Sequence, residues 1–165
     1  SEIYPSEMKG EPRTQPLEPE INLPLSTFLP EGYISDIDQR LSIYRRLAKM
    51  TEVKEISALK AEITDRFGKM PDEAGNLLLK IMLKILAGRA GCRRLDLTPS
   101  HLVLQLSSEH QRNPLGLMAV VDEKKTRYQI TPDHQFKARL APGAPNARLA
   151  QAKNILIEIA RHVNQ

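Results

Sequence analysis

The hydrophobic period of this chain changes near residue 91, and that change limits the folds open to it. Between residues 35 and 90 apolar residues recur at helical spacing, whereas between 92 and 140 they alternate as in a β-strand. A run of helices followed by a run of strands argues against alternating βαβ units on a parallel sheet. The expected class is α+β: an N-terminal three-helix segment packed with a small, mainly antiparallel sheet and a C-terminal helix.

Local signals place the elements. Ser35 is positioned to cap the first helix, with Asp36 and Asp38 in its first turn, where the helix dipole favours carboxylates. Ile37, Leu41, Tyr44 and Ala48 then predict the inward stripe of a helix ending near Met50. Thr51 is positioned to cap a second helix, whose apolar face is Ile56, Leu59, Ile63 and Phe67. Glu62 and Arg66 form an i,i+4 pair on it. Gly68 lies just past that stripe, where glycine closes a helix without steric cost, and Pro71 suits the first position of a third helix. Leu77, Leu78, Ile81, Met82, Leu83, Ile85 and Leu86 cover most of the third helix, so it is expected at the centre, with Lys80 and Lys84 on a narrow exposed strip and Gly91 at its end.

The second half reads as two hairpins and two helices. "CRRLDLT" and "HLVLQLS" alternate around a Pro99-Ser100 turn, and "TRYQIT" and "QFKARLA" around Pro132-Asp133. "NPLGLMAVVDEKK" is expected to be a short helix. Asn146 is positioned to cap a last helix carrying Leu149, Ala152, Leu156, Ile159 and Val163 inward. Ahead of all this, Ile21, Leu23 and Leu25 alternate as a short strand that Pro24 confines to a sheet edge. Residues 1–20 hold Pro5, Pro12, Pro16 and Pro19 among polar residues, the composition of a flexible linker, leaving 21–165 as one domain.

Charge and composition narrow the function classes. The net charge is +4, but residues 1–30 carry five acids against two bases, which leaves +7 on the remainder. A basic domain fits an acidic partner surface or nucleic acid. Aromatic residues are 4% of the chain and Trp is absent, so stacking platforms for bases are few. Cys92 is the only cysteine, which excludes an intrachain disulfide and points to a reducing cytoplasm. The longest apolar stretch, 77–87, is interrupted by Lys80 and Lys84, so no membrane span is expected.

Catalytic templates find no match. No glycine-rich phosphate loop occurs, and His101, His110, His134 and His162 share no ligand spacing with one another or with Cys92. Ser107, Ser108 and Glu109 before His110 read as a polar loop leaving a strand, since no nucleophile elbow precedes either serine. No cofactor or metal is expected. "DRFG" resembles catalytic vocabulary, yet Phe67 continues the apolar stripe, Gly68 stops it and Pro71 restarts it. The stretch therefore reads as a junction between helices, with Asp65 and Arg66 bracing the pair. Two basic groups remain: Arg40, Arg45, Arg46 and Lys49 on the first helix, opposite its expected stripe, and Arg89, Arg93 and Arg94 at the end of the third. Arginine's forked donors suit carboxylates and phosphates.

Leu29-Pro30, Tyr33-Ile34, Asp36, Arg40-Leu41, Tyr44-Arg45-Arg46, Asp65-Arg66-Phe67-Gly68, Pro71 and Asn76-Leu77 occur in an order and spacing that resembles the C-terminal domain of bacterial transcription-repair coupling factors (Mfd). The "EMKGEP" of the tail resembles the link to a preceding translocase module; residues 95–165 carry little signature. The resemblance implies a non-catalytic regulatory domain. It would dock on the UvrB-like module of the same polypeptide and mask the surface that binds UvrA. The full-length family protein is an ATP-driven DNA translocase that displaces stalled RNA polymerase and recruits nucleotide-excision repair. Arg40, Arg45, Arg46 and Lys49 are then the candidate interdomain contacts; Asp65, Arg66, Phe67, Gly68 and Pro71 are structural. The chain itself is expected to be monomeric and without enzyme activity. The alternatives are direct DNA binding through the basic helix faces and a hydrolase built on His110 or His134.

Overall fold

The computed structural model describes residues 16–163. In chain order these form β1 (Glu20–Asn22), α1 (Ile37–Lys49), α2 (Val53–Phe67), α3 (Asp72–Arg89), β2 (Cys92–Leu97) and β3 (His101–Leu106), then a 3-10 turn (Ser108–His110), α4 (Pro114–Glu123), β4 (Tyr128–Ile130), β5 (Gln135–Arg139) and α5 (Pro145–Val163). The strands make one sheet in the order β1-β2-β3-β5-β4. β1 lies parallel to β2, and every other neighbour is antiparallel. The α+β expectation holds, as do both hairpins and the short helix at residue 114.

The sheet has one dry face and one wet face, because alternation is carried in register from strand to strand beyond a register shift between Cys92 and Arg94 at the start of β2. Leu95, Leu104 and Phe136 form one buried row, and Leu97, Leu102 and Ala138 the next. Asp96, Val103, Lys137 and Gln129 form a row on the other face. The buried rows pack with Leu83, Leu86 and Ala87 of α3, Leu117 and Val120 of α4, and Leu149, Leu156 and Ile159 of α5. A second cluster joins Leu29, Ile34, Ile43 and Leu47 to Ile56, Leu59 and Ile63 of α2 and to Ala74, Leu77 and Leu78 of α3. Helix α3 therefore belongs to both clusters, its first half to the helical one and its second half to the sheet. Its near-complete apolar circumference has that cause.

Several expectations at element boundaries are corrected. The cap of α1 is Asp36, not Ser35: its carboxylate accepts from the N–H groups of Asp38 (2.7 Å) and Gln39 (3.3 Å). Thr51 does not cap α2. The Glu55 carboxylate reaches back to the N–H groups of Glu52 (2.9 Å) and Thr51 (3.1 Å) and satisfies donors the helix leaves open. Pro71 stands just before the first helical residue of α3, and α5 starts at Pro145, ahead of Asn146. Gly91 follows α3 with φ +73°, as a helix-stopping glycine does.

The larger correction concerns α1. Ile43 and Leu47 are buried, while Ile37, Leu41 and Ala48 of the expected stripe face outward. The helix offers two overlapping apolar stripes, and Tyr44 and Arg40 decide between them through contacts distant in sequence, described below. The strand at residue 21 does lie at a sheet edge but ends at Asn22, short of Leu23 and Leu25. Of the Pro-rich stretch, residues 1–15 lie outside the described residues. Residues 16–20 run along α3, with Pro19 buried against Gly88 and the Glu18 carboxylate 2.9 Å from Lys84 Nζ.

At the far side of the molecule Lys124 Nζ lies 2.8 Å from Glu158 Oε2, and the Tyr128 hydroxyl donates to Oε1 at 3.2 Å. Burial pushes Glu158 upward, but the Lys124 hydrogen bond and charge and the Tyr128 hydroxyl outweigh it and hold the carboxyl below its ordinary 4.5. A depressed carboxyl pKa contributes stability above pH 4.5 that is lost as the pH falls through the folded value. Glu158→Gln should therefore lower the melting temperature at pH 7 by roughly 2–4 °C, the effect of about 1 kcal/mol on a domain this size, and the gap should close as the pH falls below 4.5. A gap independent of pH in a thermal melt series would show that the charge is not what stabilises. Leu83→Ala, which empties a fully buried site on α3, should cost about 2–5 kcal/mol in urea denaturation. Because α3 carries both clusters, far-UV circular dichroism and tyrosine fluorescence should report the same single transition.

Candidate functional site

The residues from 28 to 46 and the 65–71 junction form one lock. The Leu29 N–H donates to the Tyr44 hydroxyl at 2.8 Å, so a residue of α1 anchors the segment that precedes it. Arg40 Nη1 donates to the carbonyls of Ile34 (2.6 Å) and Ser35 (3.0 Å), fixing the turn that enters the helix. The Tyr33 hydroxyl donates to the Gly68 carbonyl at 2.6 Å, and its ring meets Phe67 edge-on with centroids 6.1 Å apart. Burial pushes the Tyr33 phenol above its usual range. Asn76 Nδ2 donates to the Ser26 carbonyl at 3.4 Å, and the Phe28 N–H to the Glu73 carbonyl at 3.3 Å. The junction thus positions α1 against α2 and α3. Its glycine sits at φ +85°, ψ −169°, a region essentially closed to side-chain-bearing residues.

Within this frame the four candidate contact residues divide. Arg40 is occupied by the carbonyls just named. Arg46 forks onto Glu62 of α2, with Nη1–Oε2 at 2.5 Å and Nη2–Oε1 at 3.2 Å. That hydrogen bond raises the Arg46 pKa and lowers that of Glu62. Arg66, the expected partner of Glu62, instead lies over the Phe67 ring at 5.0 Å. Asp65 is exposed and makes no hydrogen bond or ion pair among the described residues, so the bracing expected of it is not there. Arg45 and Lys49 point outward. They share their face with Ile37, 59% exposed, and Leu41, 42% exposed. At helical spacing 37, 41, 45 and 48 fall in one line, so α1 presents an apolar strip with a guanidinium in its middle. Ile37 and Leu41 went unrecognised as surface residues because the sequence assigns them to the core; the competing pair Ile43 and Leu47 was the available signal.

The second arginine group disperses. Arg89 Nη2 reaches Glu52 Oε2 at 2.6 Å, Arg94 pairs with Asp96 (2.9 Å) and Glu20 (3.6 Å), and Arg93 stands exposed. Ser107, nearly fully buried, shares a 2.6 Å hydrogen bond with His110 Nδ1, which ties off the 3-10 turn after β3. Cys92 is buried and its thiol is pushed up to about 12 by that burial, which suppresses the thiolate. Among the described residues no group of three or more His, Cys, Asp or Glu is placed to hold a metal, and no helix is long and apolar enough to cross a membrane.

The family model of the TRCF domain matches residues 23–117, which include the lock and the outward face of α1. A transcription-repair-coupling factor of Myxococcus xanthus is 32% identical over 156 residues, 94% of this chain and 13% of that protein. That of Escherichia coli (strain K12) is 31% identical over 111 residues, 67% of this chain and 10% of that protein. That of Rickettsia bellii (strain RML369-C) is 40% identical over 82 residues, 50% of this chain and 7% of that protein. A crystal structure of the C-terminal domain of transcription-repair coupling factor superposes with a TM-score of 0.69 at 19% identity, covering 88% of this chain and 95% of that one. The chain belongs to the TRCF domain family. It spans 13% or less of the length of these relatives and shares the fold of the solved C-terminal domain.

Gly68→Ala tests the lock. The strained backbone should cost about 1–3 kcal/mol, read by urea denaturation. Gly75→Ala in α3, where an added Cβ meets open space, should be neutral or stabilise by up to about 1 kcal/mol. Equal effects at the two positions would contradict the role given to the junction.

Proposed function

We propose that this chain is a regulatory docking domain of a transcription-repair coupling factor. It carries no catalysis of its own and folds back on the UvrB-like module of the same polypeptide, covering the surface that receives UvrA. The observation that supports this reading is the outward face of α1. Contiguous exposed aliphatic side chains mark interaction surfaces, and here Ile37 and Leu41 lie one turn apart on the face that continues to Arg45 and Lys49, in the family-matched segment. An aliphatic strip with basic residues beside it fits a partner surface of apolar and acidic residues, with arginine supplying orientation.

A chain covalently joined to its partner does not need a tight contact. A linker holds the two surfaces at an effective concentration in the millimolar range, so a weak interface stays closed until another event separates the modules. The full-length protein is, on this reading, a cytoplasmic ATP-driven translocase acting on DNA and stalled RNA polymerase, and the domain described here restrains its repair-recruiting surface.

The decisive measurement is calorimetric titration of the isolated UvrB-like module with this chain. Arg45→Glu combined with Lys49→Glu, both solvent-facing, should weaken binding by about tenfold or more, and Leu41→Asp should do the same. Addition of UvrA should compete with the wild-type chain. Undiminished binding by both variants removes α1 as the contact, and steep, salt-sensitive binding to duplex DNA in place of the module supports the nucleic-acid alternative.

A further inference from the structure

Two grooves meet at the carboxyl end of α3. One, with a cavity volume of about 600 Å³, is lined by Leu86, Arg89, Arg112, Ile157, Ala160 and Arg161. The other, of about 560 Å³, shares Arg89 and Arg112 with it and continues along α3 past Lys84 and Lys49. Its wall includes the chain's own residues Pro16–Pro19. The first groove has an aliphatic floor and three guanidinium groups around it. Arg89 is held by Glu52, whereas Arg112 and Arg161 are exposed and make no ion pair among the described residues. Among the described residues lining the two grooves, Glu18 is the one carboxylate against five cations, Lys49, Lys84, Arg89, Arg112 and Arg161.

What the channel accepts is visible at one end. Pro16-Leu17-Glu18-Pro19 lies against α3 outside any helix or strand, with Pro19 buried, Leu17 half-buried and the Glu18 carboxylate on Lys84. An acidic segment with aliphatic and proline neighbours already occupies part of a basic, aliphatic-floored groove. Proline keeps such a segment extended and lowers the entropy lost on docking.

We propose that the Arg112–Arg161 groove is a binding site for an extended acidic segment of a partner protein, with a carboxylate between the two arginines and an aliphatic side chain over Leu86, Ile157 and Ala160. Nucleic acid fits less well. The floor rewards burial of an aliphatic group, and aromatic residues on which bases could stack are missing from the lining. Forked donors recognise a carboxylate with two parallel hydrogen bonds, which fixes its position as well as its charge. The Arg112–Arg161 groove contains no residue of α1, although the adjoining groove shares Lys49 with it, and the proposal does not depend on the docking reading given above.

The test is fluorescence anisotropy with a labelled synthetic peptide of four Leu-Glu-Pro repeats and the full 165-residue chain. Saturable binding is expected. Arg112→Glu with Arg161→Glu should weaken it at least about tenfold, as should a peptide with Gln in place of Glu. Lys60→Glu with Lys125→Glu, two exposed lysines outside both grooves that match the charge change, should leave it within about twofold. Melting curves of the two double variants establish that both fold. No saturable binding by the wild-type chain overturns the proposal, and so does an equal loss in both double variants. Tighter binding of a duplex DNA probe, lost on changing Arg112 and Arg161, assigns the groove to phosphates and overturns it as well.

Discussion

Helix α3 is the member on which the two halves of the molecule depend. A helix that is apolar on most of its circumference gains transfer free energy on several sides, but it needs apolar partners on each of them. Here those partners come from different architectures, α1 and α2 on one side and a sheet with α4 and α5 on the other. Neither cluster has another way to bury its share of α3. The residues at its two ends carry the same logic outward. Before its start, Gly68 lets the chain turn from α2, and beyond its end Gly91 lets it turn into β2. The chain's entry strap, Glu18 and Pro19, is laid along it.

The elements that could be read from sequence were those whose signal is local. The hairpins, α4, the stripes of α2 and α5, and the central place of α3 follow from period and turn residues, because each is decided within a dozen positions. Helix α1 was misread for a physical reason. Ile37-Leu41-Tyr44-Ala48 and Ile43-Leu47 are both legitimate stripes on a helix of 13 residues. The choice rests with the Leu29 N–H that needs the Tyr44 hydroxyl and the two carbonyls that take up Arg40, none of which a periodicity measures. Glu62 is a similar case. Spacing offers Arg66 on the same helix, but Arg46 from a neighbouring helix reaches it with a two-point fork. Boundary residues slipped by one position wherever two capping groups stood side by side, as with Ser35 and Asp36.

The same correction changes what the candidate site is made of. Counting charges on α1 draws attention to four cations, yet two of them are committed to holding the fold. What remains outward is a mixed surface, two aliphatic side chains with Arg45 and Lys49 beside them. Such a mixture binds differently from a purely basic patch. Charge alone gives attraction that salt screens within about 10 Å, while the aliphatic strip gives a contact that persists in salt. Phe67 and Gly68 of the "DRFG" junction act one step further back, by holding Tyr33 in the segment that leads into α1.

The short strand β1 has a mechanical meaning. It is the first element the chain forms after the Pro-rich stretch, and it joins the sheet as an edge strand parallel to β2 over three residues, Glu20, Ile21 and Asn22. A pull on the chain ahead of Glu20 would reach the sheet here. Pulled along its own axis, the strand loads its hydrogen bonds together, in shear, with the Glu18–Lys84 contact in series; pulled sideways, it opens them one after another. A pull along the strand therefore meets more resistance than a pull across it.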